Sequence, residues 1–346
     1  MMGPADKYTI VQSNKATRIV LLIFLGLMVV LATAPLWAGR ADLRLLSEIF
    51  HYLALASLWN LLAGYTGLVS VGQQAYVGFG GYILFALTIF LGISPLVAVA
   101  LCFILGLLVA MPVAALIFRL RGHYFAIGTW VVAEVFRLVF AQQASLGGGS
   151  GTSLPITVIK SIAPSRSARE SLTYWAAFVV LLIVLVLVYG LLRSRQGLAL
   201  KAIRDNEMAS ESLGVDIWRT KFLVYIVTAG ATAMVGALIF LQKLRISPDA
   251  AFNLNDWTAY VIFIVVIGGI GSLEGPIIGT ILYFLLRETL ADLGSVYLLI
   301  LGFVAIGVML KAPRGLWGLV QDRLNVEIFP ILQRVETKQT DRAGTD

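Results

Sequence analysis

The residues able to do chemistry in this chain are few and scattered. Glu134 and Arg137 lie inside an apolar run. Gln73, Gln74 and Tyr76 interrupt another, the histidines are His51 and His123, and the one cysteine is Cys102. At i,i+3 on a helix, Glu134 and Arg137 share a face and can neutralise each other, either as an ion pair inside a bundle or as part of a gate. Gln73, Gln74 and Tyr76 carry polar groups that are costly to bury without partners, so they read as groups presented to a polar path. Neither histidine has the acidic or nucleophilic neighbours that a catalytic constellation needs. A lone cysteine forms no internal disulfide, and without a Cys/His cluster no metal site is expected. No G-x-x-x-x-G-K-[ST] phosphate loop occurs. The expectation is a protein that is not an enzyme and needs no cofactor; any nucleotide energy must enter through another chain.

The densest polar stretch is Arg193–Lys221, RSRQGLALKAIRDNEMASESLGVDIWRTK. From Leu198 to Leu213 a helical wheel gathers Leu198, Ala199, Ala202, Ile203, Ala209 and Leu213 within an arc of roughly 140°, with Lys201, Arg204, Glu207 and Glu211 opposite. Gly197 precedes the segment and Gly214 closes it, as a helix C-terminus prefers. One amphipathic helix over 197–214 is expected, its apolar side on the bundle. Leu200 and Met208 fall on the polar arc, where a partner could cover them. A surface helix with no partner is the plain alternative to a docking helix that transmits force from a soluble motor.

The elements that hold these residues are apolar spans. The chain has 346 residues, 59% hydrophobic and 13% charged, with a mean hydropathy of +0.90. A soluble domain carries about a quarter charged residues, and several runs here approach or exceed the roughly 20 residues that cross a bilayer. The fold class is therefore all-α, a polytopic membrane helix bundle of about ten transmembrane helices. Expected spans are 19–37, 45–63, one starting near Tyr76, 95–118, 124–142, 172–192, 222–241, 257–270, 276–290 and 296–310. The first could pass for a signal peptide, but its long polar leader and Pro35 after the Ala32–Ala34 motif favour a retained span. Lys and Arg crowd one set of loops, among them Arg119, Arg121, Arg193, Arg195, Lys311 and Arg314. The positive-inside rule makes that side cytoplasmic, with both termini inside. Arg40, Arg44, Lys160, Arg166, Arg169, Lys243 and Arg245 then fall outside. The net charge of +7 is thereby read as topology, not nucleic-acid binding. Residues 1–18 form a cytoplasmic leader, 19–320 the membrane domain and 321–346 a cytoplasmic tail. The 144–169 loop, with SLGGGSGTSLP, is expected to be flexible. Arg287 and Glu288 are expected to snorkel from a span end, and Trp59, Trp130, Trp257 and Trp317 to anchor or pack.

Glycines supply the remaining pattern. Gly64, Gly67, Gly72, Gly78, Gly80 and Gly81 suggest a broken or tightly packed helix beside the path. Gly268, Gly269, Gly271, Gly275 and Pro276 suggest a tight turn between spans.

The Arg193–Lys221 run resembles the cytoplasmic coupling segment of branched-chain amino acid ABC transporter permeases of the LivM type. NLLAGYTGLVSVGQQAYVGFGGY (60–82), VIGGIGSLEGPIIGTIL (266–282) and APRGLWGL (312–319) are similar to further segments of that family. The similarity spans about Leu45 to Val320. Arg195, Gly197, Ala202, Ile203, Arg204, Glu207, Ala209, Gly214 and Lys221 match the coupling pattern. The resemblance implies a type II importer-like permease of the bacterial inner membrane that moves branched-chain or hydrophobic amino acids by alternating access. It also implies a second homologous permease, two ABC ATPase subunits and a periplasmic solute-binding protein as partners, with membrane lipid around them. A urea or short-amide permease of similar sequence is the alternative within the family. An autonomous secondary transporter is another, with Glu134 as its only serious coupling carboxylate.

Overall fold

In the computed structural model, the described residues are 8–11, 23, 26–290, 296–312, 314–324 and 334–337. Most of the expected leader, the start of the first span and most of the tail lie outside them; residues 26–32 of that span are helical.

The bundle is built from α1 (Arg40–Asn60), α2 (Gln73–Phe90), α3 (Pro95–Ile117), α4 (His123–Ala141) and α5 (Arg166–Arg193). It continues with α6 (Arg195–Asp205), α7 (Glu207–Ser212) and α8 (Ile217–Lys243). It ends with α9 (Tyr260–Gly268), α10 (Gly275–Leu290), α11 (Val296–Lys311) and α12 (Gly315–Leu324). Helix α8 is the axis: it packs along α2 and α3 and also touches α1 and α5, while α1 lies on α5 and α9 on α10. Its residues from Thr228 to Leu241 are buried without interruption.

Small residues make that burial possible. A Cβ at Gly80 of α2 would collide with the carbonyl of Ala233 in α8, and one at Gly236 of α8 with the backbone of Val77. Apolar burial gives helices little reason to associate inside a bilayer, so close backbone approach and dispersion carry the contact. Gly78 is likewise filled by the Phe252 ring, and Gly81 by Phe240 and Ile246. These glycines sit on a packed helix that starts at Gln73, three residues before the expected start near Tyr76.

The break precedes that helix. Past Asn60, α1 widens into a π-type turn over Leu61–Tyr65, and the chain then runs irregularly to Gly72. Side chains satisfy the freed backbone, as irregular chain at membrane depth requires. Trp59 Nε1 donates to Ser70 O (2.8 Å), Thr66 Oγ1 donates to Leu62 O (2.6 Å), and Val71 N donates to Thr129 Oγ1 of α4 (2.9 Å). Trp59, Trp257 and Trp317 are buried, whereas Trp130 is exposed on α4.

Among the described residues, six helical segments are long and apolar enough to cross a membrane, or up to seven if α11 and α12, bent by 41°, count as one broken span. The shorter α2 and α10 are not among them. The expected ten-span count is therefore not met by length and composition alone.

The 144–169 loop is more ordered than its glycines suggest. Short turns at Ala144–Leu146 and Gly148–Ser150 lead into β1 (Thr152–Ser153), which pairs antiparallel with β2 (Arg245–Ile246) just after α8. Leu154 N donates to Leu244 O (3.0 Å). Gly147 and Gly151 abut backbone atoms there, so the glycines permit packing and do not confer looseness.

The connectivity defines two ends. One holds the end of α5, then α6 and α7, then the start of α8. The opposite end holds the starts of α1 and α5 and the end of α8.

Candidate functional site

At the first end the chain forms an elbow. Gly197 brings α6 against the end of α5 so closely that a Cβ would collide with the carbonyl of Leu192. The next helix is not the single one expected over 197–214. Asn206 adopts extended backbone (φ −158°, ψ 106°) and divides it into α6 and α7. Its side chain accepts from Ala209 N (3.0 Å) and so caps α7. An Asn that bonds local backbone competes with helix continuation and favours caps. Gly214, at φ 84°, closes the elbow before Asp216 caps α8 by accepting from Arg219 N (3.0 Å).

The break overturns the wheel. Leu200, expected on the polar arc, is 0% exposed and packs into the core, with Ile203 buried beside it. Leu198 and Leu213, expected to rest on the bundle, are 64% and 82% exposed, and Met208 is 79% exposed. A wheel drawn through a continuous helix fails once Asn206 resets the phase, and α6 by itself buries the face of Gly197, Leu200 and Ile203. The exposed face thus presents Leu198, Met208 and Leu213 amid Arg195, Arg204, Glu207, Ala209 and Glu211, all exposed. Lys201 and Ala202 are half-buried.

The elbow is wired into the bundle at two places. Lys221 Nζ of α8 pairs with Glu207 Oε1 of α7 (3.0 Å). The Arg204 guanidinium lies against Gly271 in the turn between α9 and α10. That turn needs its glycines: Gly269 (φ 131°) and Gly271 (φ 77°) occupy backbone that L side chains rarely adopt. At Gly268 and Gly275 a Cβ would collide with the turn's own backbone. Asn60, at the end of α1, clamps the same turn. Its Oδ1 accepts from Gly271 N (2.8 Å) and its Nδ2 donates to Ser272 O (2.7 Å). The elbow, α1 and the α9–α10 turn therefore meet at one node.

A family model described as "Branched-chain amino acid transport system / permease component" matches residues 43–310. The chain belongs to this family. The permease is 27% identical to the high-affinity branched-chain amino acid transport system permease protein LivM of Escherichia coli K12, over 88% of its own length and 77% of the relative's. It is 23% identical to a probable branched-chain amino acid transport permease protein LivM of Methanocaldococcus jannaschii, over 70% and 75%. A 31% identity to the fructose import permease protein FruF of Bifidobacterium longum covers 34% of the chain and 35% of the relative. No solved structure matches it. The permease is an ABC transporter permease of branched-chain amino acid transport, with multi-pass membrane character.

The residues expected along a path separate into two groups. Gln73 and Tyr76 come together around a small closed cavity of about 20 Å³ between α1, α2 and α8, with Trp59, Ser70, Tyr225 and Thr228. Tyr76 and Tyr225 share a hydroxyl–hydroxyl hydrogen bond (2.9 Å). Gln73 Nε2 donates to Leu55 O (3.0 Å), and its buried Oε1 finds no partner. Gln74 lies just off this seam, where its Oε1 accepts from Thr258 Oγ1. Glu134 and Arg137 are elsewhere, on the exposed flank of α4. There Arg137 binds Glu134 Oε1 (2.6 Å) and also Asp249 Oδ1 (3.0 Å), a partner that the i,i+3 spacing did not reveal. Arg287 does not snorkel alone: its Nη1 pairs with Glu48 Oε1 (2.7 Å).

Proposed function

We propose that the permease carries branched-chain or other apolar amino acids across the bacterial inner membrane by alternating access, driven by separate ATPase subunits that grip the α6–α7 elbow. The elbow's exposed Leu198, Met208 and Leu213 carry this reading. Apolar side chains on a polar, water-facing elbow gain about 1.5–3 kcal/mol each when a partner buries them, and the anchoring through Glu207–Lys221 and Arg204–Gly271 turns a push on the elbow into a push on α8 and the α9–α10 turn.

A second, homologous permease completes the membrane portion, two ABC ATPases supply the stroke, and a periplasmic solute-binding protein delivers cargo. The elbow faces the cytoplasm in this reading, with a 1–18 leader, a 19–320 membrane domain of about ten spans and a 321–346 tail. The antiparallel pairing of Tyr8–Val11 with Arg334–Thr337 supports both termini lying on one side. The seam of Gln73, Tyr76, Tyr225 and Thr228 marks the closed part of the path. Its few polar groups suit a channel that releases cargo and leaves selectivity to the binding protein.

The test is ATP-driven L-leucine uptake in proteoliposomes holding the permease with its partner subunits. Met208→Glu with Leu213→Asp puts charge on two of the three exposed apolar anchors, which no core contact requires. Uptake and ATPase copurification are expected to fall at least tenfold while the protein still elutes as a single species. Full uptake and copurification would remove the elbow as the docking surface.

A further inference from the structure

The end of the bundle opposite the elbow holds a partly open cavity of about 590 Å³ between the starts of α1 and α5 and the end of α8. The elbow and the buried seam make no use of it. Its lining charges are unevenly committed. Glu170 is engaged by Arg44, by Arg166 (3.3 Å) and more distantly by Arg40 (3.8 Å), and Glu48 is engaged by Arg287 (2.7 Å). Arg169, half-buried in the first turn of α5, has no acidic partner among the described residues. Lys243 is held over the Trp257 ring (4.7 Å), with Asp256 and Glu48 near enough to favour its positive charge. His51 also lines the cavity. It is 5% exposed, and its Nε2 finds no hydrogen-bond partner among the described residues.

A buried ring nitrogen without a partner is an exception that calls for a ligand or water. An uncommitted guanidinium lining the same cavity is suited to a carboxylate, which it can hold through two parallel hydrogen bonds. Part of the wall is apolar and aromatic, with Ile239, Leu241, Leu244 and Trp257, and Thr173 and Gln242 add neutral polar groups. A pocket of this size with an apolar wall and a few convergent polar groups fits a small organic ligand.

We propose that this cavity binds the α-carboxylate of a free apolar amino acid, with Arg169 and His51 Nε2 as its ligands and Ile239, Leu241 and Trp257 as the seat of its side chain. The proposal rests on the amino-acid import reading and assigns that cargo a site on the permease itself, at the end away from the elbow. An anionic lipid headgroup shares the charge chemistry, so the test separates the two sources.

The permease with its partner subunits, without binding protein, is placed in nanodiscs of phosphatidylcholine alone or with added phosphatidylglycerol, and binding of radiolabelled L-leucine is measured. Saturable binding is expected in both discs. Unlabelled L-leucine displaces the label, and isopentylamine, which keeps the side chain and lacks the carboxylate, does not. Arg169→Gln, at a half-buried position without an ion pair, weakens binding at least tenfold in both lipids. Arg245→Gln, a cation at the same end outside the cavity, leaves it unchanged. Equal binding by Arg169→Gln, displacement by isopentylamine, or an Arg169→Gln effect confined to phosphatidylglycerol discs each overturns the proposal. Uptake assayed with binding protein distinguishes the two levels. L-leucine uptake by wild type with no Arg169→Gln binding defect removes this site and leaves the import reading standing. No uptake of L-leucine, L-isoleucine or L-valine by wild type removes the import reading and this site with it.

Discussion

Asn60→Leu tests whether the node beneath the elbow holds the elbow to the bundle. Asn60 is fully buried, and each end of its amide serves one backbone group of the α9–α10 turn: Gly271 N at 2.8 Å and Ser272 O at 2.7 Å. Leucine is close in size, so the substitution removes both hydrogen bonds without opening a large void. It leaves one N–H and one C=O in the turn without partners. Each such group costs about 1–3 kcal/mol, which gives about 2–6 kcal/mol in total. Double-mutant cycles in membrane proteins return smaller hydrogen-bond energies, near 0.6 kcal/mol on average, so about 2 kcal/mol is the better expectation. The turn also lies against Arg204, so loosening it frees the elbow from α9 and α10. The assay has two arms. Detergent thermostability is expected to fall by several degrees, at roughly 2–4 °C per kcal/mol. Under the proposed docking of ATPase subunits on the elbow, whose exposed face the substitution leaves intact, the number of L-leucine molecules imported per ATP hydrolysed is expected to fall several-fold. Asn60→Leu protein with wild-type melting and wild-type coupling would refute the claim that this node carries load.

Two further outcomes follow from the same geometry. Gly80→Val forces side-chain atoms into the Ala233 carbonyl at the α2–α8 contact; overpacking of this kind costs about 1–3 kcal/mol or more, and the yield of monodisperse protein on size exclusion should drop sharply, whereas Gly302→Val, with open space around it, should not change it. Glu207→Lys removes the pair with Lys221 and sets two cations together; since Glu207 is exposed, the stability change stays below about 1 kcal/mol, but ATP-driven uptake falls, and the double variant Glu207→Lys with Lys221→Glu restores at least half of it.

Much of the scaffold was legible in the sequence because its signals are local. Apolar runs mark helices, and the Gly268–Gly275 spacing marks a turn that the backbone angles at Gly269 and Gly271 require. The polar elbow was legible as a segment, since charge inside an apolar chain has few places to go. Its orientation was not. One side chain, Asn206, ends α6 and starts α7, and a wheel has no means of seeing a phase reset. Counting Ala209 and Leu213 of α7 on the same wheel drew the apolar arc towards Leu198, although α6 by itself buries Gly197, Leu200 and Ile203. The Glu134–Arg137 pair was legible, but Asp249, which is far away in sequence, was not. The large cavity was missed entirely. Its walls come from α1, α5, α8 and Trp257, and its cations read one at a time as markers of topology. Only the assembled fold shows that Glu170 and Glu48 already pair with arginines, while among the described residues Arg169 has no acidic partner and His51 Nε2 no hydrogen bond.

Helix α8 joins the two regions without interruption. Its 27 residues make a rod about 40 Å long, with Lys221 near one tip and Lys243 at the other. Pivoted at its glycine-rich middle, where α2 and α3 press closest, a tilt of about 5° swings each tip by about 2 Å in opposite directions. Displacement applied at one membrane surface is thus returned, reversed in sign and undiminished in size, at the other.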